Sequence, residues 1–229
     1  MRADQYNHLA EAYEESTAKS AYNTMCERPT TLSLIGDVRG KAVLDAACGT
    51  GFYAAYCEKH RARSVFAFDG SPNMVELART KLSYTTIFVH ELGSQLTSIP
   101  EETLDGVICA LALEYTEDLI ESLQEFYRLL KPDGFLVFSI ENPWLVFQRY
   151  GETYWDEELV EHTSTFLNGV KGYRRPLSMY LNGLRESGFR FEQMIEAKPV
   201  EQCKDRFPEI YRRMMEIPFF ISIRGRKAA

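Results

Sequence analysis

Between residue 42 and about residue 141, short apolar runs alternate with stretches of helical period, and no other feature narrows the choice of fold so much. Continuous apolar runs of this length fit strands covered on both faces, and the helices between them fit crossovers that join parallel neighbours. Strands are predicted at 42–47, 65–69, 86–90, 106–110 and 135–140. Ser71-Pro72 supplies a cap and a first-turn proline, opening a helix through Met74, Val75, Ala78 and Leu82. A second helix puts Leu119, Leu123, Phe126 and Leu130 on one stripe, and Pro132-Asp133-Gly134 makes the turn into the next strand. The fold class this predicts is α/β, a doubly wound and mostly parallel sheet.

Outside that stretch the rhythm differs. Residues 1–35 read as helical. Residues 142–175 hold seven aromatics (Trp144, Phe147, Tyr150, Tyr154, Trp155, Phe166, Tyr173) without periodicity and read as an inserted cap. A helix from Leu177 to Glu186 closes at Gly188, and two last strands, at 189–197 and 219–225, flank a helical stretch begun by Pro208. The whole reads as one domain, 1–229: a helical lid (1–35), a ligand-binding core (36–141), the cap (142–175) and a closing helix with strands (176–229).

Composition removes several classes of function. With 45% hydrophobic and 26% charged residues the chain can bury a core. A net charge of -7 argues against nucleic-acid binding, which needs a basic face, and the pairs Arg174-Arg175 and Arg212-Arg213 read as solvated surface. No apolar run approaches a membrane span and no leader opens the sequence. Five cysteines without paired spacing predict neither a disulfide framework nor a metal site and suit a reducing compartment. The expectation is a cytoplasmic protein, monomer or homodimer, with no nucleic-acid or membrane partner.

The chemistry concentrates in VLDAACGTGFYAAYCEKH, residues 43–60, a strand ending in glycines and restarting as a helix. The loop fits the loose dinucleotide fingerprint, yet Asp45 stands where a phosphate would meet like charge. Asp69 closes the second strand 18 residues after Gly51, where a carboxylate can take two ribose hydroxyls. A nucleoside carrying a zwitterionic or cationic group fits both acids. That description matches S-adenosylmethionine.

VLDAACGTG, FDGSPNMVELAR, LDGVICALALEYTED and FYRLLKPDGFLVFS, in this order, resemble the successive motifs of class I S-adenosylmethionine-dependent methyltransferases over residues 38–141. RRPLSMYLNGLRESGF resembles the small-molecule branch. The resemblance implies a Rossmann-like, seven-stranded sheet with the last strand inserted antiparallel, and a small-molecule methyl acceptor. It implies that Asp45, Gly49 and Gly51 frame the methionine end, and that Asp69, beside Gly70, binds ribose. Met74 would pack on adenine with Glu91 and Leu92 near its amino edge, and Ala110 and Leu111 would line the sulfonium. Tyr6 and Tyr13 resemble tyrosines that close over the cofactor. Ala47 stands in place of a glycine, and Glu91 where aspartate is commoner. Met74 and the tyrosines also suit plain packing.

In-line methyl transfer needs positioning, and a base only if the acceptor must lose a proton. Glu114, Glu141 and His162 are the candidate proton acceptors, each with a structural reading beside it: a helix start, a loop cap, a solvated histidine. The acids of GETYWDEELVEH read as a solvated face or as a field favouring a cationic amine against Tyr154 or Trp155. Trp144, Trp155 and Tyr173 are expected to hold the acceptor. Two other functions compete: a catalytically silent cofactor-binding subunit, and an NAD(P)-dependent oxidoreductase using Tyr127 and Lys131.

Overall fold

The structure is a computed structural model and describes residues 4–162 and 169–228. Helices α1 (Asp4–Asn7), α2 (Ala10–Lys19) and α3 (Arg28–Ile35) fill the N-terminal stretch, and a π-helical turn, Asn23–Glu27, runs into α3. Then come β1 (Ala42–Ala46), α4 (Phe52–Lys59), β2 (Ser64–Asp69), α5 (Pro72–Arg79), β3 (Thr86–Val89), β4 (Leu104–Ala110), α6 (Leu119–Leu129) and β5 (Leu130–Glu141). The segment after β5 holds α7 (Pro143–Tyr150), β6 (Glu158–His162) and β7 (Val170–Arg174). It is followed by α8 (Leu177–Glu186), β8 (Phe189–Glu196), α9 (Gln202–Arg206), α10 (Pro208–Glu216) and β9 (Phe220–Lys227).

Seven strands form one sheet in the order β3-β2-β1-β4-β5-β9-β8. Neighbours from β3 to β5 are parallel, and β9 enters antiparallel between β5 and β8. Successive apolar residues point to opposite faces, so each strand feeds two cores. Leu44, Val107 and Leu136 pack on the side of α6 and α8, whereas Val43, Ile108 and Val137 pack on the side of α3 and α4. This is why the runs are continuous rather than alternating.

The helix signals act as expected. Ser71 Oγ accepts the amide of Met74, 3.2 Å away, with Pro72 opening α5. Asp118 caps α6 through the amide of Glu121, and the α6 stripe is buried. Two details differ. Helix α5 stops at Arg79, so Leu82 lies past its end. The Pro132-Asp133-Gly134 turn is a bulge within β5: Leu130 pairs with Leu104 and Phe135 with Gly106, and Asp133 takes a left-handed φ of 62°. The strand therefore begins one turn earlier than its apolar run suggests.

The aromatic segment has regular structure that its sequence hides: α7, then a hairpin in which β6 pairs antiparallel with β7. Phe166 lies outside the described residues. The Arg174-Arg175 pair, expected on the surface, is buried. The Arg175 guanidinium donates to the carbonyls of Leu113, Thr116 and Glu117 and pairs with Glu157 at 2.5 Å. Arg174 donates to the Thr153 carbonyl and pairs with Glu158 at 3.0 Å. Arg175 clamps the hairpin to the loop after β4, and Arg174 ties β7 to β6 and the segment before it. Among the described residues no helix is long and apolar enough to cross a membrane.

Candidate active site

Strand order reverses between β1 and β4, and a crevice opens beyond the carboxyl ends of the strands at such a point. A cleft lies there, lined by Asp45, Ala47, Cys48, Gly49, Thr50, Asp69, Met74, Ala110, Leu111 and Ala112, with Tyr6, Tyr13, Asn23, Glu27, Arg28 and Tyr115 closing it. Asp69 Oδ2 accepts the amide of Gly49 at 2.8 Å and Oδ1 that of Ser71 at 2.9 Å. Burial pushes its pKa up, while these amides and that of Gly70 pull it down. With three amides on its four acceptor sites, the carboxylate keeps one lone pair for a ligand.

Asp45 has a task inside the fold. Its Oδ2 accepts the amide of Ala54, the third residue of α4, at 2.8 Å. The helix N-terminus that would receive a phosphate in a dinucleotide fold thus already holds a carboxylate. Burial, with the charge of Asp69 added, raises the Asp45 pKa to about 7. Gly49, at φ 52°, borders the cleft, where a side chain would approach the Tyr13 ring. Gly51 does not border it. Its φ of 83° makes the left-handed cap of α4, and a Cβ there would meet that of Ala78 at 3.1 Å, so its smallness serves packing against α5. Ala47 also has a left-handed φ, 52°, a conformation glycine adopts without strain.

The N-terminal helices form the roof. The Tyr6 ring meets Tyr13 edge-on at 5.9 Å and Tyr115 at 5.4 Å. Burial raises the Tyr13 hydroxyl to about 12, keeping it neutral. Asn7 holds the roof to α5 through the amide of Asn73 and the hydroxyl of Ser71, and Glu14 pairs with Lys81 at 2.5 Å. Beneath it Glu27 is buried, accepting the hydroxyls of Ser139 (2.7 Å), Thr31 (2.8 Å) and Tyr53 (2.8 Å). Burial raises its pKa and the three hydroxyls oppose the rise.

A second cavity shares Tyr6, Tyr13, Asn23, Leu111 and Tyr115 with the cleft and extends to Glu114, Glu141, Arg149, Tyr150, Arg213, Phe219 and Phe220. Glu114 sits in a 3-10 turn, Leu113–Tyr115, directly after β4. One of its oxygens accepts the amide of Glu141 at 3.4 Å; the other, buried, has no partner among the described residues. Burial, aided by the charge of Glu141, raises its pKa to about 8.

Most of the proposed site residues converge here. Tyr6, Tyr13, Asp45, Gly49, Asp69, Met74, Ala110 and Leu111 border the cleft, and Glu114 and Glu141 the second cavity. Gly51, Gly70, Glu91 and Leu92 border neither: Glu91 is exposed and Leu92 belongs to the core beneath α6. The backbone of His162 lies in β6, while its side chain is outside the described residues. The cap aromatics expected to hold an acceptor do not line the second cavity. Trp155 is 75% exposed, Trp144 is 46% exposed, and Tyr173 lies against Arg175. Of the five acids in the cap segment, Glu157 and Glu158 are taken by Arg175 and Arg174. Lys131 pairs with Asp105 at 2.7 Å, and Tyr127 packs on Phe189, so the two form no oxidoreductase dyad. Asn23, Glu27, Arg28 and Tyr53 line the cleft without having been singled out from the sequence. The one signal for them is a Glu27-Arg28 charge pair set within a buried helical stretch.

The methyltransferase-domain family matches residues 44–138. An uncharacterized protein of Haemophilus influenzae is 26% identical over 95% of this chain and 93% of its own length. A malonyl-[acyl-carrier protein] O-methyltransferase of Serratia marcescens is 29% identical over 44% of this chain, which spans only 38% of that relative. The crystal structure of an S-adenosylmethionine-dependent methyltransferase from Mesorhizobium loti aligns with a TM-score of 0.74 and 23% identity, covering 92% of this chain and all of that one (100%). A methyltransferase domain thus matches the chain between β1 and β5, and the seven-stranded sheet around it has the fold of S-adenosylmethionine-dependent methyltransferases of known structure.

Proposed function

We propose that the chain methylates an O, N or S atom of a small molecule held in the second cavity. One observation carries this reading: that cavity shares a wall with the cofactor cleft at Leu111 and Tyr115, under a roof of α1 and α2. A cavity of this kind beside the cofactor cleft suits a small acceptor.

The cleft residues fit the cofactor. Glu27, Asp45 and Asp69 are buried carboxyls facing it, with Arg28 the arginine at its edge, a balance suited to a cation and unsuited to pyrophosphate. When bound, S-adenosylmethionine supplies a methyl group on a positively charged sulfur. Asp69 would take a ribose hydroxyl on its remaining lone pair, and Asp45 and Glu27 would face the ammonium. Tyr6, Tyr13 and Tyr115 exclude water and narrow the approach to one line, which is the chief source of rate in such a displacement. Glu114 would meet the acceptor from the cavity wall. Neutral below pH about 8, it donates a hydrogen bond; ionised, it takes the proton of a hydroxyl or amine.

The test is to incubate the protein with methyl-labelled S-adenosylmethionine and a cell extract separated by size. Label should enter the low-mass fraction. Label confined to macromolecules would overturn the small-molecule reading. Binding of S-adenosylhomocysteine with no transfer to either fraction would favour the silent-subunit reading instead.

A further inference from the structure

The second cavity carries charge that neither the cofactor nor Glu114 uses. Arg149, on the last turn of α7, and Arg213, on α10, both line it. Most arginines elsewhere have a carboxylate of their own: Arg79 with Glu76, Arg128 with Glu125, Arg175 with Glu157, Arg212 with Glu216. Arg149 and Arg213 enter no ion pair among the described residues, although acids outnumber bases in the chain. Each guanidinium instead lies near a ring, Arg149 at 5.7 Å from Tyr150 and Arg213 at 5.9 Å from Phe219, which leaves its donors available. Both are exposed, so they stand at the rim rather than the floor.

In the same wall a Glu114 oxygen is buried with no partner among the described residues, and Leu111 and Tyr115 of that wall also line the cofactor cleft. Glu141 is the other acid in the wall. The cavity therefore carries both signs of charge: the carboxyls of Glu114 and Glu141 in its wall, aromatic sides, and at its rim two arginines with no ion pair among the described residues. Arg149 and Arg213 stand on separate elements around one cavity, so their like charges oppose each other. An oxyanion bound between them reverses that, and a planar guanidinium matches carboxylate and phosphate geometry with paired donors.

Building on the small-molecule reading, we infer that the methyl acceptor is an amphipathic anion, its carboxylate or phosphate held by Arg149 and Arg213 at the rim, its apolar body along Phe219 and Tyr150, and its reacting atom at Glu114. The rim thereby sets both the class of acceptor and its direction of entry.

The test uses protein saturated with S-adenosylhomocysteine and three probes of one shape: phenylacetate, phenyl phosphate and phenethylamine. Binding is measured by ligand-observed magnetic resonance, up to the solubility of each probe. One or both anions should bind better than the amine, and which of them does so names the oxyanion. Arg149→Gln and Arg213→Gln should each weaken anion binding by about 3- to 5-fold and together by about 10-fold, with the amine unaffected. Arg213→Lys should restore part of the loss. Equal binding of amine and anions, no anion binding, or full anion binding by the double variant would each overturn the proposal. Affinity for S-adenosylhomocysteine is read in the same samples. Its absence would sink the methyltransferase reading itself; its persistence confines any failure to the rim.

Discussion

The cofactor cleft and the second cavity share a wall but are built in different ways. The cleft is assembled from consecutive βα units: the loop after β1, the end of β2, the end of β4. Each contributes from the carboxyl edge of a parallel strand, so the order of motifs along the chain is the order of parts in the site. The second cavity draws on α2, the turn after β4, the end of β5, α7 and the junction of α10 with β9. No two of its charged groups, apart from Glu114 and Glu141 across β4 and β5, come from neighbouring strands. A site made of strand ends inherits its geometry from the sheet. One made of helix ends depends on how the helices dock, which leaves it free to vary between relatives that share a sheet.

The largest expected effect separates the two sites at their shared wall. Glu114→Gln removes a proton acceptor and keeps the shape, so turnover with a found acceptor should fall by ~10²-fold while S-adenosylhomocysteine affinity holds. Were affinity to fall in step with turnover, Glu114 would belong to the cleft and the division would fail. Asp69→Ala tests the other side. Hydrogen bonds to a charged group contribute about 1.5–3 kcal/mol each, so losing the ribose contact should cost at least ~10-fold in affinity for S-adenosylhomocysteine by calorimetry. Unchanged affinity would place the ribose elsewhere.

A pH series sharpens the contrast. The pKa of Asp45 is raised to about 7 and that of Glu114 to about 8, above the ~4 of carboxyls in an unfolded chain. Both groups hold more protons folded than unfolded. The stability they lend is complete below pH ~4 and is lost as pH rises through 7 and 8. The melting temperature of the cofactor-free protein should fall between pH 5 and 9, and Asp45→Asn should flatten the fall through 7, with Glu114→Gln doing so nearer 8. Because S-adenosylmethionine brings positive charge to Asp45, its affinity should rise over the same lower interval. Identical slopes in wild type and both variants would show that neither carboxyl is protonated in the fold.

Smaller effects follow at positions where the two regions carry strain or exposure. Ala47→Gly relieves a left-handed backbone that costs an L-residue ~1–2 kcal/mol, against an entropic cost near half of that, and should raise the melting temperature by about 1–4 °C. No gain would mean the loop relaxes around its methyl. The smallest expected change is at Trp155: the Trp155→Ala variant should keep full turnover, because the ring stands outside the cavity. A clear loss would bring the cap aromatics back into the acceptor site.

The parts that were legible in advance are those whose physics is local. Ser71 and Asp118 are caps because a short polar side chain can reach an amide two or three residues on, and both bonds are made. Asp69 and Gly49 were readable together because a parallel strand delivers its last residue to the same edge as its neighbour, and the bond between them spans β1 and β2. Gly51 was assigned the wrong purpose: its spacing fits a ligand loop, but what presses on it is Ala78. The arginines 174 and 175 looked solvated because a charge pair usually is. Their burial depends on free carbonyls at Leu113, Thr116 and Glu117, some 60 residues earlier, that no local pattern announces.

The sequence by itself determined the α/β class, the parallel sheet, the capped helices and the cofactor, since each rests on periodicity or on residues within one βα unit and its neighbour. Only the tertiary structure decided that Glu27 comes under the roof of the cleft, that Glu114 keeps a buried oxygen with no partner among the described residues, and that Arg149 and Arg213 line one cavity. The reason is one of range. Backbone hydrogen bonding and hydrophobic period act over a few residues and leave their mark in the chain, whereas burial and the pairing of charges are set by segments that meet only after the sheet has formed.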